Sequence, residues 1–348
     1  MAERNAPRIA VIMPAYNAEA SIAASVGSVL NQTVSDLRLL VVDDGSTDRT
    51  RAILDTLAAK DPRLLPLTVE NGGPAAARNR ALEMLDPDID YVMFMDADDE
   101  LLPDALAYAL EGAERGADLV IFGFSILGTD GSLRDYCEPE QFLHPQELGE
   151  ALPRLYKANL LNQVWGKLFR AEPIRRNQLR FPDYRWGEDR LFLFACLEEA
   201  EAVCVLPACK YRYIMHEGES LISRYYEKKF PVCLEVDRRM EELCRRFGVT
   251  DDSDCRYMFA KSVFSCLTTL FAPSCPLNEA EKRQAVRQIL EEPRVRRRCR
   301  DTAAGLPTAF LCRCLRGGSA GWNLLVFRLV AWTGRAAPGL FMALKHRK

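Results

Sequence analysis

Tyr91-Val92-Met93-Phe94-Met95-Asp96-Ala97-Asp98-Asp99 runs five apolar or aromatic residues straight into three carboxylates. A short continuous apolar run reads as a strand buried on both faces, so the carboxylates fall at its C-terminal edge, where open α/β sheets bind their ligands. Acids packed this closely repel one another. Two readings fit them: an acidic turn capping a helix that starts near Pro103, or oxygen ligands for a hard divalent cation such as Mg²⁺ or Mn²⁺.

Outward from this strand, apolar strand signals alternate with helical ones, the pattern of an α/β fold with a mostly parallel central sheet flanked by helices. Strands are expected over 8–13, 37–42, 64–69, 91–95 and 118–124. Helices are expected over 20–31, with Ser21, Ser25 and Ser28 on a polar side, and over 48–59, 74–85 and 104–115. Asp48 can cap the second of these helices. The polar, turn-rich stretch 128–145 reads as a loop over an active site, followed by helical and aromatic segments to about Tyr226. Two amphipathic helices, 230–247 and 257–270, carry cysteines on their apolar sides. The expected division is a nucleotide-binding domain over 1–226 and a helical C-terminal region over 227–348.

Three further strand ends carry polar groups. Pro14 ends backbone pairing and leaves Tyr16 at a strand end, where its ring can stack on a planar ligand. Leu39-Leu40-Val41-Val42-Asp43-Asp44-Gly45-Ser46-Thr47-Asp48 repeats the pattern of buried strand, acid pair and glycine turn. Capping accounts for Asp48 but leaves Asp43 and Asp44 unexplained; one of them can accept a pyrimidine N–H or a ribose hydroxyl. Asn71-Gly72-Gly73-Pro74-Ala75-Ala76-Ala77-Arg78-Asn79 places a glycine turn before a small-residue helix, from which Arg78 could meet an anion or simply face solvent.

Composition is that of a soluble globular chain, 348 residues with 48% hydrophobic and 27% charged side chains. The first apolar run after Met1, Ile9 to Met13, is too short for a signal-peptide core, so a cytoplasmic protein is expected. Twelve cysteines lie scattered without a Cys-x-x-Cys pair, beside only three histidines, which favours reduced, packed thiols over disulfides or zinc. The net charge of −3 hides an asymmetry: 15 Lys/Arg against 4 Asp/Glu from Ala280 onward make that segment +11 and the rest −14. Within 321–348, Arg328 and Arg335 break the apolar run, which disfavours a spanning helix. The segment suits either a helix lying at a membrane surface, with Leu325, Leu329 and Trp332 on one face, or a terminal helix docked on the protein; its leucines and tryptophans argue against nucleic acid.

Taken together, Pro14-Ala15-Tyr16-Asn17, Val42-Asp43-Asp44-Gly45-Ser46-Thr47-Asp48, Gly73-Pro74 with Ala77-Arg78-Asn79, and Asp96-Ala97-Asp98-Asp99 resemble the nucleotide-binding half of the family 2 glycosyltransferases, which have the GT-A fold. The resemblance covers about residues 6–225. It implies a nucleotide-sugar donor, most often a UDP-sugar, with Tyr16 and Asp44 at the base, Asp96 at the ribose, and Asp98 at Mn²⁺ or Mg²⁺ with Asp99 as an alternative or additional metal contact. Trp186-Gly187-Glu188-Asp189-Arg190-Leu191-Phe192 looks like the family's Glu-Asp motif, implying Asp189 as general base with Glu188 second. Trp165-Gly166-Lys167-Leu168-Phe169 and Tyr211 through Ser220 are similar to later family segments, which adds Lys167 at the donor or acceptor pocket and His216 near the diphosphate or metal. The implied donor-binding set is Pro14, Tyr16, Asp43, Asp44, Arg78, Asp96, Lys167 and His216. Processive members carry Gln-x-x-Arg-Trp and flanking spans; Arg185-Trp186 lacks the Gln, so transfer of a single sugar is implied. The expected activity is inverting transfer to a saccharide or lipid-linked oligosaccharide, at the inner face of the plasma membrane where the basic segment can reach it. The other reading is a nucleotide-sugar-binding scaffold of the same fold without catalysis.

Overall fold

The computed structural model describes residues 7–216, 224–299, 321–322 and 325–330. The chain gathers into two compact units, Met1–Ala151 with Ala158–Glu217, and Leu152–Lys157 with Gly218–Lys348.

The first unit is built on one ten-stranded sheet. Its opening half alternates β1 (Ile9–Ala15), α1 (Ile22–Leu30), β2 (Leu37–Asp43), α2 (Thr50–Ala58), β3 (Leu64–Thr68), α3 (Pro74–Glu83) and β4 (Tyr91–Phe94). The parallel ladder runs β3-β2-β1-β4. Each crossover carries a helix, as parallel pairing requires. β1 and β4 are buried along almost their whole length, which is why both read as unbroken apolar runs.

After β4 come β5 (Glu100–Leu101), α4 (Ala105–Glu114), β6 (Leu119–Leu127), β7 (Leu133–Tyr136), β8 (Gln141–Leu143), α5 (Pro145–Lys157), β9 (Lys167–Arg170), α6 (Ala171–Arg176), α7 (Glu188–Glu199) and β10 (Val203–Ile214). β9 lies antiparallel between β4 and β6, and β10 runs parallel to β6. Six strands, β1 to β4 with β6 and β10, therefore point one way and deliver their C-terminal ends to one edge; β5, β7, β8 and β9 run against them.

Several expectations change. The stretch 128–145 is not wholly a loop: β7 pairs with β6 and β8 with β10, each along one side. The aromatic segments before Tyr226 include β9 and the long β10, neither foreseen. Pro14 does not end pairing; it lies opposite Val42, and β1 continues to Ala15, whose carbonyl accepts the Asp44 N–H at 2.8 Å. Ser25 is buried rather than on a polar face.

The second unit is helical: α8 (Lys229–Arg246), α9 (Ser253–Thr269), α10 (Glu279–Glu291) and α11 (Pro293–Arg298). Cys233, Cys244, Cys255 and Cys266 are buried on α8 and α9, as the apolar spacing suggests. Buried Asp237 on α8 accepts from Arg294 (2.7 Å) and Arg298 (2.9 Å), which fixes α11 against it. Residues 325–330 are helical, with Phe327 buried edge-on to Phe264 while Leu325 and Leu329 are exposed. Residues 323–324 and 331–348 of the proposed membrane-facing segment, Trp332 and Arg335 included, lie outside the described residues, as does Ser220. Among the described residues no helix is long and apolar enough to cross a membrane.

Candidate active site

The acidic turn is held from three sides. Ser21 and Ser25 of α1 both donate to the Ala97 carbonyl at 2.9 Å, tying the turn to the helix after β1. Tyr211 of β10 reaches under it: its hydroxyl donates to Asp99 Oδ2 at 2.5 Å and accepts the Asp96 N–H at 3.2 Å. The Ile214 N–H donates to Asp99 Oδ1 at 2.9 Å. Asp99 is therefore completely buried with both oxygens engaged, and burial with repulsion from Asp96 pushes its carboxyl well above the usual range. Asp99, expected as an alternative or additional metal contact, here gives both oxygens to β10 and anchors the turn to it.

Its neighbours face outward. Asp98 is half-exposed, with His216 Nε2 at 3.6 Å from Oδ2. Partial burial and repulsion from Asp96 raise its carboxyl, while His216 opposes the shift. The chain turns here, with the Asp99 N–H donating to the Asp96 carbonyl at 3.3 Å, and the turn gives these adjacent acids different surroundings.

Asp96 belongs to a second cluster. Arg78, on the second turn of α3, is buried and forks between two carboxylates: Nη2 donates to Asp96 Oδ1 at 2.7 Å and Nη1 to Asp189 Oδ1 at 2.8 Å. Glu188 lies 4.0 Å from the same Nη1. Burial works against the guanidinium charge, but Asp189, Asp96 and Glu188 outweigh it and hold the arginine above its ordinary pKa. The Phe181 ring lies 5.4 Å below the guanidinium carbon and stacks on Phe192 at 4.0 Å. Asn79, one residue on, clamps Phe181 by donating to its carbonyl (2.9 Å) and accepting its N–H (2.8 Å). Arg78, expected to meet a ligand anion, joins the turn after β4 to the start of α7.

Glu188 and Asp189 open α7 after Gly187, whose φ of 86° is left-handed and suits glycine. Burial and the adjacent Asp189 push Glu188 up to about 7. Burial also raises Asp189, with Arg78 pulling it back down and Asp96 adding to the rise. Lys167 on β9 is buried, donates to the Trp165 carbonyl at 3.2 Å, and is lowered to about 7 by burial against the pull of Asp189. A carboxylate with a raised pKa, positioned by a cation at a strand edge, can take a proton near neutral pH. Trp165 stacks on Tyr211 at 4.5 Å and is itself buried, so it stiffens the floor of the site and leaves little ring surface for a ligand.

The β1 and β2 edges interlock. Asn17 donates its N–H to Ser46 (2.9 Å) and accepts from Thr47 (2.9 Å), and Ala18 donates to the Thr50 hydroxyl (2.8 Å). Tyr16 is 53% exposed beside this clasp, which leaves its ring available for stacking. Buried Asp43 accepts the Ser46 N–H at 3.0 Å. Each oxygen of buried Asp44 accepts a backbone N–H, Oδ1 from Gly72 and Oδ2 from Gly73, both at 2.8 Å. Asp44 thus fixes the turn that launches α3 and, with it, Arg78. Asp48, expected to cap α2, lies one residue before the N-cap Arg49 and accepts the Thr50 N–H at 2.9 Å.

Comparisons with known proteins give the family. The family model of glycosyl transferase family 2 matches residues 10–167. An uncharacterized glycosyltransferase of Haemophilus influenzae is 44% identical over 203 residues, which span 57% of this chain and 74% of that one. The chain belongs to glycosyl transferase family 2. A second relative, TuaG of Bacillus subtilis, whose name provisionally assigns it to teichuronic acid biosynthesis, is 31% identical over 238 residues, 67% of this chain and 89% of its own. Among solved structures, S. aureus TarS 1–349 in complex with UDP-GlcNAc superposes with a TM-score of 0.62 at 20% identity, over 94% of this chain and 92% of that one. The fold is thus the expected GT-A-type α/β fold, and the protein is a glycosyltransferase. The family 2 match ends at Lys167, so Glu188 and Asp189 lie beyond it and are placed at the site by Arg78.

Ser21, Ser25, Tyr211 and Phe181 escaped the sequence reading. The serines recur at one helical face, a usable signal that was assigned to solvent; for Tyr211 and Phe181 only the fold brings them under the acids.

Proposed function

We propose that this chain is an inverting, non-processive glycosyltransferase that moves one sugar from a UDP-sugar to a hydroxyl of a saccharide or lipid-linked oligosaccharide. The observation that carries the reading is the Arg78 guanidinium lying between Asp96 and Asp189, since it sets the acids of β4 and of α7 on either side of one point. A displacement with inversion needs that division: donor-binding groups on one side, a base for the acceptor on the other.

In this reading the uracil stacks on Tyr16 above the pocket that Pro14, Asp43 and Asp44 shape, and Asp96 takes the ribose hydroxyls. The acceptor hydroxyl gives its proton to the Asp189 carboxylate as its oxygen attacks the anomeric carbon. The bond to the β-phosphate oxygen breaks on the opposite face, and its electron pair leaves with UDP. Glu188, raised by burial, stays partly protonated near neutral pH and keeps Asp189 from sharing the site with a second full negative charge.

The residues also fit a divalent ion. Asp98 and His216 offer oxygen and imidazole donors, and Asp98 is the acid of its turn that faces outward. Among the described residues no three His, Cys, Asp or Glu side chains form a group that could hold a metal ion by themselves, so an ion here would draw its remaining ligands from water and diphosphate. When bound, Mn²⁺ or Mg²⁺ would supply Lewis-acid stabilisation of the departing diphosphate. We place the enzyme in the cytoplasm, at the inner face of the plasma membrane, where the basic segment 321–348 meets anionic lipid. UDP-GlcNAc in the TarS complex and the teichuronic acid assignment of TuaG support the donor and polymer classes.

The test is transfer from a panel of UDP-, GDP- and dTDP-sugars, with and without EDTA. Transfer from a UDP-sugar that is lost on chelation and in Asp98→Ala is expected, and Asp189→Asn should lower kcat by about 10²–10⁴-fold while UDP still binds. UDP binding without transfer to any acceptor tried would favour the scaffold reading, and turnover indifferent to both EDTA and Asp98→Ala would remove the metal.

A further inference from the structure

We propose that Arg78 is a positioning residue that couples the donor side of the site to the base, dividing one positive charge between Asp96 and Asp189 so that engagement of Asp96 by a donor leaves Asp189 the more ionised. The inference rests on the family 2 transfer reading above. Its foundation is geometric: one guanidinium, 4% exposed, gives one nitrogen to each carboxylate at 2.7 and 2.8 Å, and Phe181 closes the face beneath. Its Nε is buried without a hydrogen-bond partner, so the fork is held by the two carboxylates themselves. A guanidinium presents donors in a rigid fork and cannot be deprotonated, which suits it to bridging and excludes it from carrying the proton.

Burial disfavours the Asp189 charge most, a backbone hydrogen bond from Val164 favours it, and four side chains act beside them. Arg78 from α3 favours the carboxylate; Asp96, from the turn after β4, disfavours it; Glu188 precedes it on α7; Lys167 from β9 favours it, more weakly than Arg78. A ribose hydroxyl donating to Asp96 offsets part of that carboxylate's charge, so less of the Arg78 field is spent there and more acts on Asp189. Donor binding would then ready the base before the acceptor arrives. In the absence of donor, Asp189 holds its proton more tightly, which disfavours activating water against a sugar that is not yet in place.

The experiment is a ¹³C-carboxylate NMR titration of the full chain, with Asp189 assigned by the signal lost in Asp189→Asn. Arg78→Ala should raise the Asp189 midpoint by about 1–3 pH units, the effect of losing one adjacent cation, and Arg78→Lys should retain part of that effect while lowering kcat more than it raises the donor KM. Asp96→Asn, which frees the guanidinium for Asp189, should lower the midpoint, and UDP should lower it in the unsubstituted protein. Midpoints unmoved by both Arg78→Ala and Asp96→Asn would overturn the coupling, and if Arg78→Ala does not fold, Asp96→Asn with Arg78→Lys decides it. The NMR arms need no turnover: a chain that shows these shifts yet transfers no sugar would defeat the proposed function and leave the coupling standing, whereas active enzyme without the shifts would do the reverse.

Discussion

Asp98 and Asp99 are neighbours in the chain with opposite surroundings, one half-exposed beside His216 and the other sealed against Tyr211 and Ile214. Sequence alone cannot separate them, because the distinction depends on which side chain points towards β10. Asp99→Ala would leave the Tyr211 hydroxyl and the Ile214 N–H buried without an acceptor, so a loss of about 2–4 kcal/mol in unfolding free energy is expected. Urea denaturation measures it; a change below about 0.5 kcal/mol, the size of an ordinary surface substitution, would show that Asp99 does not anchor the turn. Glu188 carries a pH signature. Its pKa is raised to about 7 in the folded protein, above the ordinary 4.5, so the folded state binds more protons across that interval. Its contribution to stability is fully present below about pH 4.5 and is lost as pH rises through about 7. Glu188→Gln should flatten the fall in Tm across this window and make the protein the more stable of the two at pH 8; a parallel pair of Tm curves would count against it.

At the scale of elements, the alternating first hundred residues were legible because buried parallel strands read as apolar runs and their crossover helices as periodic ones. β10 was not legible: Val203–Ile214 contains Pro207 and the charges of Lys210 and Arg212, tolerated because its pairing with β6 shifts register between Leu206 and Tyr211. β9 is a four-residue strand that takes its place from both neighbours rather than from its own pattern. The candidate site divides the same way. Each acid-bearing strand end could be found from its motif, whereas the bridge from Arg78 to Asp189 spans 111 residues and belongs to no local pattern. α1 offers a test at this scale, since Ser21 and Ser25 alone tie the Ala97 carbonyl to it among the described residues. The double change Ser21→Ala with Ser25→Ala should loosen the acidic turn and raise the donor KM at least threefold with a smaller effect on Tm, whereas Ser28→Ala, whose hydroxyl accepts from Leu101 at 3.2 Å, should act on stability alone. Steady-state kinetics over a donor series separates the two.

Across the whole molecule, the sheet is joined in its middle by the strand that arrives late. β9 must enter between β4 and β6 before the parallel ladder of the first hundred residues meets the β6-β10 half. Long-range pairing of this kind is slow to form and costly in loop closure. A nascent chain that has reached Gly166 therefore carries β4 and β6 as open edges, and an unpaired apolar edge invites pairing with another chain. A fragment ending near Lys167, where the family 2 match stops, should aggregate on expression, and one extended through His216 should stay monomeric by light scattering. The antiparallel strand is thus a latch in time as well as in space: until it closes, β4, which leads into Asp96, and β6, which carries β10 and Tyr211, remain unjoined halves, each with an edge open to self-association.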